Sequence, residues 1–302
     1  MPAGLLGIQD LPREEIQSIL TRARDHQPDQ GHSFKRLDAL KGKMIVYLFY
    51  EASTRTRTSF EIAAKRLGAD AISISASGSS VSKGESLVDT LATLAAMRPN
   101  AIVMRHAASG APHFLARHLP IPIINAGDGT HEHPTQALLD ARTILDNRES
   151  LEGLRVAIIG DIAHSRVARS NIYLLSKFGA QIVLCGPAPL LPPELARIAP
   201  GVRITYDIRE AIRDADVIMM LRVQLERQHE AAFPAGEYFQ FFGLGLEHLE
   251  LAKPGAIVMH PGPINRGREI SSEVADSQVS VILNQVENGV AVRMAVLERI
   301  LG

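Results

Sequence analysis

The sequence predicts an α/β protein built as two parallel-sheet domains in succession. Apolar runs of strand length alternate with amphipathic stretches of helix length. The alternation falls into two series separated by one longer helical segment, and 302 residues exceed the roughly 100 to 200 that one domain usually holds.

The first series has strands at MIVYLFY (44 to 50), DAISIS (70 to 75), AIVMR (101 to 105) and IPIIN (121 to 125), with helices at TSFEIAAKRLG, ESLVDTLATLAAM and APHFLARHL between them. HPTQALLDARTILDNRES then reads as a longer helix bridging the halves, with Pro134 in its first turn, where a missing N–H costs little. The second series runs RVAIIG (155 to 160), QIVLCG (181 to 186), RITY (203 to 206), DVIMML (216 to 221) and AIVMH (256 to 260), separated by helical segments such as SRVARSNIYLLSKFG. The closing VILNQVENGVAVRMAVLERIL has apolar residues at helical spacing, and a helix of that length is expected to pack back on the first domain. The expected division is 1–134 with 285–302 for one domain and 135–284 for the other.

Composition excludes several classes of function. A formal net charge of -1 offers nothing to nucleic acid or an anionic membrane, and no apolar run approaches the roughly 18 residues of a membrane span. The N-terminus MPAGLLGIQDLPREE lacks the basic start and apolar core of a signal peptide, so a cytoplasmic location is expected. The single cysteine, Cys185, has no partner for an internal disulfide and reads as a small buried hydrophobe rather than a nucleophile.

In EASTRTRTSFE, residues 51 to 61, Ser53, Thr54, Arg55, Thr56 and Arg57 fall where a strand ends and a helix begins. Unpartnered N–H groups and the positive end of the helix dipole attract anions there, and arginine adds a planar fork suited to phosphate. The plainer reading is that Ser53 or Thr54 caps the helix and both arginines are solvated. SGSSVSKGES, carrying Ser79 and Lys83, lacks the register of a P-loop and reads as a Gly/Ser-rich loop with one lysine, or as plain surface. GDGTHEHPTQ sets His131 and His133 two apart without metal-binding spacing. His133 could donate to a carbonyl oxygen or simply cap the helix. GDIAHSRVARSN follows a strand with Gly160 alone, so it is no dinucleotide fingerprint, and Arg166 and Arg169 remain either anion ligands or a solvated helix face. LRVQ places Arg222 and Gln224 just past a strand, and HPGPINRG follows another, its prolines fixing a loop whose carbonyls can accept hydrogen bonds.

Taken in order, STRTRTSFE, SKGESLVDT, MRH, HPTQALLD, LRVQLER and HPGPINRG closely resemble the aspartate/ornithine carbamoyltransferase family over nearly the whole chain. The resemblance implies transfer of the carbamoyl group of carbamoyl phosphate to the amino group of L-aspartate, in pyrimidine synthesis. It implies a homotrimer with active sites between subunits, and no cofactor or metal. The domain 1–134 with 285–302 would then bind carbamoyl phosphate, and 135–284 aspartate. Ser53, Thr54, Arg55 and Thr56 would hold the phosphate, with Arg105 bridging phosphate and carbonyl oxygen. Thr56 and His133 would complete the donors to that oxygen. Gln136 and the carbonyls of Pro261 and Gly262 would receive the carbamoyl NH2, and Arg166, Arg222 and Gln224 the aspartate carboxylates. Ser79 and Lys83 would come from the neighbouring subunit. A larger assembly with a regulatory chain or a dihydroorotase is a further option within the family.

The loop HPGP departs from the HPLP or HPAP expected in relatives, and the glycine is expected to loosen it without removing carbonyl function. An ornithine-type acceptor would call for an HCLP-type loop and an acidic, SMG-containing segment, where this chain has HPGP and the basic LRVQ. A catalytically silent anion-binding homologue is the rival from another class.

Overall fold

The computed structural model describes residues 4–29, 32–75, 86–223 and 235–302. They divide into two compact units, one of Met1–Leu139 with Glu287–Gly302, the other of Asp140–Val286.

The first unit runs α1 (Arg13–His26), β1 (Met44–Phe49), α2 (Thr54–Arg66), β2 (Asp70–Ser75), α3 (Leu87–Ala96), β3 (Ala101–His106), α4 (Ala111–Ala116), β4 (Ile123–Asp128) and the start of α5 (Pro134–Asn147). Its sheet is parallel, in the order β2-β1-β3-β4. The inner strands are almost wholly apolar because a parallel sheet buries both faces; Val46, Leu48, Ile102 and Met104 meet Leu91 and Leu115 in one core.

The second unit continues with β5 (Arg155–Ile159), α6 (Arg166–Lys177), β6 (Gln181–Cys185), β7 (Val202–Thr205), α7 (Ile208–Ile212) and β8 (Val217–Met220). After these come α8 (Ala235–Phe242), α9 (Leu246–Leu249), β9 (Ile257–Met259), α10 (Ser272–Ala275) and the start of α11 (Ile282–Leu301). Its parallel sheet has the order β7-β6-β5-β8-β9. Ala157, Ile159, Val183, Ile218 and Val258 line one face of its core, with Tyr238 and Phe242 of α8 closing over it.

The terminal helix α11 packs within the first unit, as expected from its spacing. Glu298 accepts from Arg22 and His26 of α1, and Arg293 reaches Ser59 of α2 while lying 5.1 Å over the Phe60 ring. The helix α1 itself was absent from the expected elements, although Ile16, Ile19, Leu20 and Ala23 form a buried stripe at helical spacing. Among the described residues no helix is long and apolar enough to cross a membrane.

Candidate active site

Strand order fixes where each sheet opens. In the first unit the chain leaves β1 for β2 on one side and returns to β3 on the other. In the second it leaves β5 for β6 and returns to β8. Such reversals leave a crevice at the carboxyl ends of the strands, where open α/β sheets bind ligands.

The first reversal lies between the segment preceding α2 and Arg105. Register places Phe49 opposite Arg105, and the Tyr50 N–H donates to the Arg105 carbonyl at 2.9 Å. Ser53 stands at the N-cap of α2 in extended conformation, but its side chain makes no capping bond. Thr54 and Arg55 are exposed and Thr56 is buried. The first turn contains no acidic residue. A helix that opens with two arginines and no acid places like charge on the positive end of its dipole, an arrangement that an anion relieves. Arg57 lies 3.8 Å from Glu61 of its own helix. The Tyr47 hydroxyl donates to the Phe60 carbonyl at 2.8 Å, securing α2 to β1.

Arg105 donates to the Ala126 carbonyl at 3.2 Å and to Glu51 Oε1 at 2.5 Å. Sequence reasoning missed Glu51 as a partner of the site. The available signal was an acid placed directly ahead of an arginine cluster.

His133 and Gln136 are buried where α5 begins, and the His133 carbonyl accepts from the Gln136 and Ala137 N–H groups. The preceding turn hangs on Asp128, wholly buried at the end of β4. Its Oδ1 accepts from Asn125 Nδ2 and Glu132 N, its Oδ2 from Gly110 N and His131 Nδ1. Burial pushes the Asp128 carboxyl up, but the donors from His131, Asn125 and Gly110 outweigh it and hold the group below its ordinary value. Among the described residues His113, Asp128 and His131 are the group that could hold a metal ion, their ligand atoms lying within 4.8 Å of one another. The four acceptor directions of Asp128 are already taken by N–H donors, which makes it the anchor of the turn.

At the second reversal Gly160 follows β5 with φ +142, and a Cβ there would lie 2.8 Å from Leu221 Cβ. Only glycine lets the two strand ends close this tightly. Arg166 opens α6, where Ser165 caps the helix by accepting from Ala168 N at 3.1 Å. Arg166 is buried, so it is not part of a solvated helix face, while Arg169 is half-buried. Arg222 follows β8 and is half-buried.

After β9, His260 N–H donates to Gln285 Oε1, and the Gln285 amide donates to Asp140, which also accepts from Asn171. Gly262 N–H donates to His260 Nδ1 at 2.8 Å. Among the described residues neither the Pro261 nor the Gly262 carbonyl accepts a hydrogen bond. Gly262 has φ +62, a left-handed conformation that strains any side chain, so glycine suits this turn rather than loosening it. Ser79, Lys83 and Gln224 lie outside the described residues.

Two family models match successive stretches of the chain. A family model described as the carbamoyl-P binding domain of aspartate/ornithine carbamoyltransferase matches residues 4–146, and one described as the Asp/Orn binding domain matches residues 152–300. The aspartate carbamoyltransferase catalytic subunit of Solibacter usitatus (strain Ellin6076) is 81% identical over 302 residues, covering 100% of both chains. The ornithine carbamoyltransferase of Pyrococcus furiosus superposes with a TM-score of 0.89 at 31% identity, covering 99% of this chain and 97% of that one. The aspartate transcarbamoylase of Trypanosoma cruzi, solved with aspartate and phosphate, gives a TM-score of 0.83 at 31% identity over 99% and 96%.

Proposed function

The chain belongs to the aspartate/ornithine carbamoyltransferase family, and on that premise we propose that it transfers the carbamoyl group of carbamoyl phosphate to the amino group of L-aspartate. The products are N-carbamoyl-L-aspartate and phosphate, a step of pyrimidine biosynthesis. The observation that carries this reading is that the sheet reversal of each unit bears arginines, Arg55 and Arg105 in one, Arg166 and Arg222 in the other. Both substrates are anions.

The amine attacks a planar carbonyl, and negative charge grows on its oxygen before phosphate departs. Thr56, Arg105 and His133 supply donors to that oxygen, and stabilising charge where it develops is the largest contribution such a site makes. Ser53, Thr54, Arg55 and the first turn of α2 hold the phosphate. Gln136 and the open carbonyls of Pro261 and Gly262 take the carbamoyl NH2, which fixes the face presented to the amine. Arg166, Arg222 and Gln224 read the two aspartate carboxylates. The departing dianionic phosphate is basic enough to accept the amine proton, so no side chain need act as general base.

The working unit is a homotrimer in which Ser79 and Lys83 of one chain complete the site of the next. A ureido assay with aspartate and ornithine as alternative acceptors tests the assignment. Carbamoyl aspartate is expected without added metal or nucleotide. Faster turnover of ornithine would reject the acceptor, and turnover of neither would leave an anion-binding homologue.

A further inference from the structure

Glu269 is wholly buried, and among the described residues no cation pairs with it. Its carboxylate is held by N–H donors alone. Oε1 accepts from Val223 N at 3.0 Å and from Asn265 Nδ2 at 2.7 Å, while Oε2 accepts from Asn265 N at 2.9 Å. Its own carbonyl accepts Leu244 N at 2.9 Å, tying in the segment after α8. An ionised group sealed from water without a counter-charge is a costly way to join two loops. Burial accordingly raises its pKa, opposed by these donors. What the carboxylate joins is therefore informative. Val223 directly follows Arg222, and Asn265 lies three residues beyond Gly262.

We propose that Glu269 is a positioning residue that holds Arg222 and the Pro261–Gly262 carbonyls in a common register, so that acceptor and carbamoyl group are presented in matched orientation. This rests on the carbamoyl transfer proposed above. A single carboxylate meets both requirements because it accepts three donors with no hydrogen of its own to place. An amide of the same shape cannot, since Glu269→Gln keeps one oxygen for Val223 and Asn265 Nδ2 but turns its NH2 toward the Asn265 N–H.

The test measures steady-state kinetics, phosphate affinity and amide exchange on the full chain. In Glu269→Gln the aspartate KM is expected to rise roughly tenfold, the result of leaving one buried donor facing another. Phosphate affinity should stay within about twofold, because the proposed phosphate groups belong to the first unit. Exchange at the Val223 and Asn265 amides should accelerate. Asn265→Ala, which removes only the Nδ2 bond, should show the same split at smaller size, and it stands in if the first variant does not fold. Wild-type kinetics in either folded variant, or an equal loss of phosphate affinity, overturns the positioning role. A wild-type enzyme unable to carbamoylate aspartate would instead overturn the function on which it rests.

Discussion

Glu51 pairs with Arg105 and, in the site proposed above, competes with the phosphate for it. The pair is held at 2.5 Å with the two side chains 24% and 11% exposed, so part of the charge attraction survives solvent screening. Glu51→Gln should tighten inorganic phosphate binding about fivefold, from removing a partly screened competitor worth on the order of 1 kcal/mol. Titration calorimetry with phosphate checks this, and unchanged or weaker affinity would reject it. Cys185 is a second residue whose behaviour follows from its surroundings. Burial first, then the charges of Asp207 and Glu210, push its thiol up to about 12. It is therefore protonated at neutral pH and sealed at the end of β6, and the thiolate is the reactive form. Native protein should resist an aromatic disulfide reagent at pH 8 and react with one equivalent once unfolded; rapid reaction of native protein would show that β6 opens locally.

Helix α1 owes its place to both ends of the chain. Its apolar stripe is buried within the first unit, and its polar edge meets α11, where Glu298 accepts from Arg22 Nε at 2.7 Å and His26 Nε2 at 2.8 Å. Burial pushes the Glu298 carboxyl up, but Arg22 and His26 outweigh it and hold the pKa below its ordinary value. The sign follows: a depressed carboxyl stabilises the fold at pH values above its unfolded pKa, and that contribution is lost as pH falls through the folded pKa. Glu298→Gln should cost about 1 to 2 kcal/mol at pH 7, and the difference in denaturation midpoint from wild type should shrink as pH falls below about 4.5. A difference independent of pH would assign the effect to packing alone. The stripe Ile16, Ile19, Leu20, Ala23 and the acidic first turn of Glu14 and Glu15 were legible signs of this helix. Pro12 stands at its N-cap position without a side-chain cap, so the usual start signal is missing.

For the whole molecule, the proposed trimer makes a prediction that no single chain can satisfy. Arg55 is exposed at the start of α2, and Lys83 lies about 28 residues on, beyond β2, so nearness in sequence does not bring its ammonium to the same phosphate. If Lys83 acts in the neighbour's site, Arg55→Ala and Lys83→Ala proteins should each be nearly inactive. Dissociating, mixing and reassembling them should restore a substantial fraction of activity, because some interfaces then join an intact Arg55 to an intact Lys83. Hybrids no more active than their parents, after proven subunit exchange, would place both residues in one chain.

Fold class, the succession of strands and the residue types at the strand ends were legible in the chain because each is a local property. Strand length, period and the arginines after a strand are set by neighbours in sequence. The order β2-β1-β3-β4 and the order β7-β6-β5-β8-β9 were not legible, and with them went the two reversals beside which Arg55, Arg105, Arg166 and Arg222 stand. The two carboxylates that brace the candidate groups were hidden for the same reason. Glu51 meets Arg105 across 54 residues and Glu269 meets Val223 across 46. Such pairings exist only once strand register has brought distant loops to one sheet edge, and register is decided by the burial of whole strands against helices, not by the residues that finally touch.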